Sequence, residues 1–147
     1  MEKKIKLLLL HGPNLNMLGQ RKPEVYGVES LKDIEARLAA AALAHGVELS
    51  CFQSNSEGEI ISRIHQARDN EDGLIVNAGA YSHTSLAIRD ALECCERPFV
   101  EVHISNIYAR EPFRHHSMIS ALAAGVICGC GTQGYLFALE RLVRILS

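Results

Sequence analysis

Three short stretches of this 147-residue chain concentrate residue types that move protons and hold anions. They are His11-Gly12-Pro13-Asn14-Leu15-Asn16, Asn77-Ala78-Gly79-Ala80-Tyr81-Ser82-His83 and Glu101-Val102-His103-Ile104-Ser105-Asn106, the last followed closely by Arg110 and Arg114. Histidine exchanges a proton near neutral pH, and guanidinium grips a carboxylate through a two-pronged fork. Taken singly, each residue has a bland explanation: asparagines cap and turn, and a lone histidine is usually just satisfied. Each stretch, however, directly follows an apolar run, and their convergence makes a site the better reading.

A fourth stretch, Gln20-Arg21-Lys22-Pro23-Glu24-Val25-Tyr26-Gly27, lies in the connection between the first apolar run and the first helix-like segment. It is too long for an ordinary strand-to-helix loop. Such loops serve as lids, or as solvated insertions in which a residue such as Tyr26 is a packing anchor. The loop by itself leaves both open.

Two other patterns are weighed and refused. Gly129-Cys130-Gly131-Thr132-Gln133-Gly134 matches the dinucleotide fingerprint, but it follows the last strand-like run, with no later strand and no acidic residue about twenty positions on. Its glycines fit close helix–sheet packing or a tight turn. A zinc reading of His83, His103, His115 and His116 also fails. Adjacent histidines on a helix point about 100° apart, and nothing resembles H-E-x-x-H.

The elements that position these residues alternate along the chain. Lys6 to Leu10 reads as a buried strand ended by Gly12-Pro13-Asn14. Ser30-Leu31-Lys32-Asp33 fits a capping box, with Leu31, Ile34, Leu38 and Ala41 on one helical face and Gly46 as the stop. Val47 to Gln53 is a second strand, and Ser56 caps a helix carrying Ile60, Ile61 and Ile64. Leu74 to Asn77, Phe99 to Ile104 and Gly125 to Cys130 are further strands. Helices are expected over Ser85 to Cys95, near His116 to Ala123, and from about Tyr135, with Leu136, Leu139, Leu142 and Leu146 at helical spacing. Five strands alternating with helices predict a parallel sheet covered on both faces, an α/β flavodoxin-like three-layer sandwich of order 2-1-3-4-5. Ligands of such sheets bind beyond the carboxyl ends of the strands, where the polar stretches lie.

Composition bounds the rest. The length suits a single domain, residues 1–147, and shares of 48% hydrophobic and 22% charged residues exclude disordered and fibrous classes. A net charge of -2 leaves no footprint for nucleic acid or a membrane surface, so any anionic ligand must be held by a few local cations. The run from Ile5 to Leu10 is too short to span a membrane and lacks signal-peptide features, so a cytoplasmic location is expected. Five cysteines, an odd count without C-x-x-C spacing, read as buried free thiols rather than disulfides or metal ligands.

Taken together, the segments resemble the type II 3-dehydroquinate dehydratase family. The similarity is carried by Gly12 to Asn16, Arg21 with Pro23 and Tyr26-Gly27, Asn77-Ala78-Gly79 running to Ser85, and Arg89-Asp90. It continues through Glu101 to Asn106, Ala109-Arg110-Glu111, Arg114 and Gly134-Tyr135, and so spans essentially the whole chain in order. The resemblance implies a hydro-lyase of the shikimate pathway. It would remove water from 3-dehydroquinate by anti elimination through an enolate, giving 3-dehydroshikimate without a cofactor or metal. Tyr26 would be the base, with Arg21 beside it; His103 would be the acid, oriented by Glu101; Asn14 would hold a water that steadies the enolate. Asn77, His83, Ile104, Ser105, Arg110 and Arg114 would bind substrate. Asp90 would approach the site of a neighbouring subunit in a homo-oligomer, a dodecamer built as a tetramer of trimers. Lys22 and His11 depart from the commoner pattern, which bears on the lid and on affinity rather than on the reaction.

The implied chemistry is physically coherent. A free phenol has a pKa of about 10, so ionising it at neutral pH costs roughly 4 kcal/mol. A cation within a few ångströms lowers a pKa by roughly 1 to 3 units, which Arg21, five residues before Tyr26, can supply with help from Arg110. The other enzyme class for this reaction uses a Schiff-base lysine. Here the lysines are Lys3, Lys4, Lys6, Lys22 and Lys32, none at the end of a later strand. Two rival functions are a flavin- or nucleotide-binding module and a non-catalytic scaffold. The first needs a loop rich in Ser, Thr and Gly after strand one, where this chain has Pro13-Asn14-Leu15-Asn16; the second leaves the polar clustering unexplained.

Overall fold

The computed structural model describes residues 3–20, 22–26 and 28–147, with Tyr26 described by its backbone alone. Arg21 lies outside the described residues. Five strands form one parallel sheet: β1 (Ile5–His11), β2 (Val47–Gln53), β3 (Gly73–Asn77), β4 (Phe99–His103) and β5 (Gly125–Cys128). Their order is β2-β1-β3-β4-β5, the flavodoxin-like arrangement expected from the alternation. The helices are α1 (Pro23–Tyr26), α2 (Leu31–Ala44), α3 (Glu57–Asn70), α4 (Leu86–Cys95) and, after β5, α5 (Gly134–Leu146).

Period-two alternation sorts the central strands into two cores. Leu7 and Leu9 of β1, Ile75 of β3 and Val100 and Val102 of β4 face α2 and α5, packing on Ile34, Leu38, Leu139 and Leu142. Leu8, Leu10, Leu74, Val76 and Phe99 face the other way, onto Ile60 and Ile64 of α3 and Ile88 and Leu92 of α4. The continuous apolar runs of β1 and β3 follow from this double burial.

Helix starts match their caps. Ser30 and Asp33 form a reciprocal capping box at α2, with Ser30 Oγ accepting the Asp33 N–H and Asp33 accepting the Ser30 N–H. Ser56 Oγ accepts from Glu59 N, and Ser85 Oγ from Ile88 N. Gly46, at φ +70°, follows the end of α2.

Three expectations are corrected. The segment 116–123 is not a helix but holds one 3-10 turn, Ser120–Leu122. Its backbone is pinned to the turn after β3, Met118 N donating to Ser82 O at 2.7 Å, and Ser117 and Ser120 point their hydroxyls at Glu101 instead of continuing a helix. The last strand stops at Cys128, because Gly129 turns to φ +83° where a Cβ would sit 3.0 Å from Asn106 Cβ. The cysteines are free but mostly not buried: Cys95 alone is buried, Cys128 is half-buried, and Cys51, Cys94 and Cys130 are exposed. Cys51 lies on the edge strand β2 and Cys130 just past the other edge strand, where one side of the chain has no neighbour. The refused nucleotide motif is structural: a Cβ on Gly134 would meet Ile127 and Val102 at 3.2 and 3.4 Å, so glycine lets α5 start against the sheet.

Candidate active site

The strand ends that the sequence singled out do meet. Gly12 N donates to Asn77 O at 2.7 Å, tying the end of β1 to that of β3. Beyond them Asn14, Asn77, His83, His103, Ile104, Ser105, Arg110 and Arg114 line one cleft, joined by Pro13, Leu15, Gly79, Ala80 and Ile107.

Each polar side chain has a structural reason for its pose. Asn14 sits in the left-handed region, φ 69° and ψ -4°, a conformation that asparagine tolerates better than most residues. Its N–H donates to Asn55 Oδ1 at 3.0 Å, and Gln53 Nε2 donates to Gly12 O at 3.1 Å, so the end of β2 clamps this turn. Asn77 is buried with both ends of its carboxamide engaged: Gly79 N donates to Oδ1 at 3.1 Å, and Nδ2 donates to Tyr135 Oη at 2.8 Å.

His103 and Glu101, two residues apart on β4, project to the same side. Glu101 is fully buried, and His103 Nε2 is hydrogen-bonded to Glu101 Oε2. That carboxylate also accepts from Ser117 Oγ at 2.8 Å and from Ser120 Oγ at 2.5 Å. Burial pushes the Glu101 carboxyl up. Hydrogen bonds from His103 and Ser120, the His103 charge and the Ser117 bond outweigh it, so the carboxyl is held below its ordinary value and is ionised at neutral pH. An anion behind Nε2 fixes the ring and leaves Nδ1 as the nitrogen not engaged by Glu101.

His83, on the 3-10 turn Gly79–His83, stacks on His103 with centroids 5.9 Å apart and planes 21° apart. Its Nδ1 lies 2.9 Å from the His116 carbonyl oxygen, which can only accept, so Nδ1 carries the proton. Burial, more than the nearby His103 and Arg114 charges, holds the imidazole below its ordinary value despite that bond. His83 is thus neutral, with Nε2 as an acceptor. Arg110 reaches Ser105 Oγ at 3.4 Å, and Arg114 Nε donates to Glu111 Oε1 at 3.1 Å, so both cations are held at the cleft. The arrangement offers a buried acid–base imidazole, a neutral acceptor, amide donors and two guanidinium groups: the equipment to bind a polar carboxylate and protonate a leaving oxygen.

Other expected residues fall elsewhere. The side chain of Tyr26 lies outside the described residues, though its backbone closes α1 in the loop after β1. Asp90 is exposed on α4 and outside its own chain's cleft. His11 is buried at the end of β1 but does not line the cleft. Its Nε2 is 3.3 Å from Glu35 of α2, and its ring meets Tyr135 edge-on at 6.1 Å. Sequence reading missed Ser117, Ser120, Gln53 and Asn55, and gave Tyr135 a place in the Gly134-Tyr135 match but no role, because each supports a residue distant in sequence. Among the described residues there is no group of three or more His, Cys, Asp and Glu that could hold a metal ion.

The family model described as dehydroquinase class II matches residues 5–143. The chain belongs to the class II dehydroquinase family. It is 59% identical over 147 residues to the 3-dehydroquinate dehydratase of Histophilus somni strain 2336, covering 100% of this chain and 98% of that one. With the 3-dehydroquinate dehydratase of Actinobacillus pleuropneumoniae serotype 5b (strain L20) it shares 58% identity over 142 residues, 97% of this chain and 92% of that one. The crystal structure of the type II dehydroquinase from Propionibacterium acnes superposes with a TM-score of 0.92 at 42% identity, covering 97% of this chain and 99% of that one. Membership at this identity carries the fold directly, and the cleft described above lies where Glu101, His103 and the strand-end asparagines of this dehydroquinase-family chain converge.

Proposed function

We propose that this chain is a single catalytic domain that dehydrates 3-dehydroquinate to 3-dehydroshikimate. The observation that carries this reading is the buried Glu101–His103 pair opening onto a cleft with Arg110 and Arg114, in a chain of the class II dehydroquinase family. The phenolate of Tyr26, favoured by Arg21, takes the C2 proton, and the pair of electrons passes to the carbonyl as an enolate. The enolate collapses, the C1=C2 bond forms, and the C1 hydroxyl departs as water with a proton from His103. Glu101 stabilises the charged imidazole before transfer, and Asn14 holds a water against the enolate oxygen. Arg114 grips the substrate carboxylate, with Arg110 beside it; Asn77, His83, Ile104 and Ser105 hold the ring oxygens. No cofactor takes part.

Asp90, exposed on α4, reaches the cleft of a neighbouring subunit, which makes the working form a homo-oligomer, a dodecamer of four trimers. No helix among the described residues is long and apolar enough to cross a membrane, and all five cysteines are free, which supports a cytoplasmic place of work. The deciding experiment adds 3-dehydroquinate to the purified protein and follows the rise of enone absorbance. A flat trace at high enzyme concentration overturns the reading. Sedimentation tests the dodecamer separately.

A further inference from the structure

Asn77 is fixed by a contact between the end of β3 and α5. Its carboxamide orientation is decided by Gly79: a backbone N–H only donates, so the atom 3.1 Å from it is the oxygen. The nitrogen therefore faces Tyr135, whose Oη lies 2.8 Å away and comes from α5, 58 residues on in sequence. Tyr135 is buried, and burial pushes its phenol up to about 12, so it is a neutral hydroxyl that accepts from Nδ2. Nδ2 carries two hydrogens. One goes to Tyr135, and the other is the hydrogen left for the cleft that Asn77 lines.

We propose that Tyr135 is a positioning residue whose hydroxyl locks the Asn77 carboxamide so that the cleft meets an N–H donor there and selects a substrate oxygen that accepts. The proposal rests on the reading that Asn77 contacts dehydroquinate. Tyr135 sits in the apolar cluster between the sheet, α2 and α5, and its hydroxyl is the acceptor that the described contacts give to Nδ2. Without the hydroxyl, the carboxamide is held by the Gly79 bond alone, and its nitrogen rocks about that bond instead of holding the second N–H toward the cleft.

The test is a double-mutant cycle on the full chain. Tyr135→Phe removes one oxygen and keeps the ring. Its kcat/KM for 3-dehydroquinate should fall about tenfold, chiefly through KM, in line with one lost buried hydrogen bond. In the Asn77→Ala background the same change should have less than about a twofold effect, because the residue it positions is gone. A purely structural Tyr135 would give the same loss in both backgrounds, which overturns the proposal. Full activity in Tyr135→Phe beside a crippled Asn77→Ala also overturns it, leaving the substrate role of Asn77 intact. Wild-type behaviour in Asn77→Ala sinks both. If Tyr135→Phe does not fold, Asn77→Asp supplies the answer: Tyr135 can turn its proton and donate to the carboxylate, but the cleft then meets an oxygen. Its kcat/KM should lie about tenfold below that of Asn77→Ala; equal or better turnover refutes the donor assignment.

Discussion

Glu101→Gln tests the buried acid–base pair most directly. The carboxylate is fully buried and receives three donors: His103 Nε2 and Ser117 Oγ on Oε2, and Ser120 Oγ on Oε1. Glutamine keeps the shape but offers one oxygen, so its NH2 must face one of these groups. The serine hydroxyls can rotate and accept; an Nε2–H of His103 cannot. The amide oxygen therefore stays with His103, and the main loss is the charge behind the imidazole. Hydrogen bonds to charged groups contribute about 1.5–3 kcal/mol. That amount, withdrawn from a protonated His103 in the transition state, slows kcat roughly 10- to 150-fold. KM should move little, since Glu101 does not line the cleft. Unfolding should cost about 2 kcal/mol less, a Tm lower by roughly 4–8 °C for a domain of this size.

The pH dependence has a definite sign. The folded carboxyl lies below its ordinary value of 4.5, so its stabilisation is present above that pH and is lost as pH falls through the folded value. Glutamine has no such titration. The stability gap between wild type and Glu101→Gln should be full near neutral pH and narrow below pH 4.5. Steady-state kinetics with urea melts across pH supply both readouts. A variant with wild-type kcat, or one whose whole defect lies in KM, refutes the reasoning.

The remaining predictions are simpler. Tyr26→Phe should retain its circular dichroism spectrum and assembly while turnover nearly vanishes; dehydration at the wild-type rate removes Tyr26 as the base. Borohydride added with substrate should leave activity untouched, since no lysine ends a later strand, and a covalent adduct found by mass spectrometry would contradict the enolate route. Gly12→Ala should destabilise by about 3 kcal/mol or more, because a Cβ there would lie 2.3 Å from the Ala78 carbonyl oxygen, which is backbone and cannot step aside; a melting temperature within a degree of wild type would refute that.

Much of the fold and of the cleft was legible in the linear sequence, because local physics writes itself there. Unbroken apolar runs marked β1 and β3 as buried on both faces, the Ser30–Asp33 box marked a helix start, and polar clusters directly after strands marked the ligand edge. Parallel topology then brings Asn14, Asn77, His83, His103 and Arg114 together. Three-dimensional packing decided the rest. The stretch 116–123 has helical composition, yet its serines satisfy a buried carboxylate on β4, a demand visible only once the strand is seated beside them. Cys51 and Cys130 look apolar in context but flank the open edges of the sheet, and edge position is a property of strand order. In the sequence Tyr135 marks the start of the last helix and belongs to the Gly134-Tyr135 match, with no role attached. Only the seating of α5 against the sheet shows that its hydroxyl meets Asn77, because a contact across 58 residues is set by how the layers dock and leaves no periodicity behind.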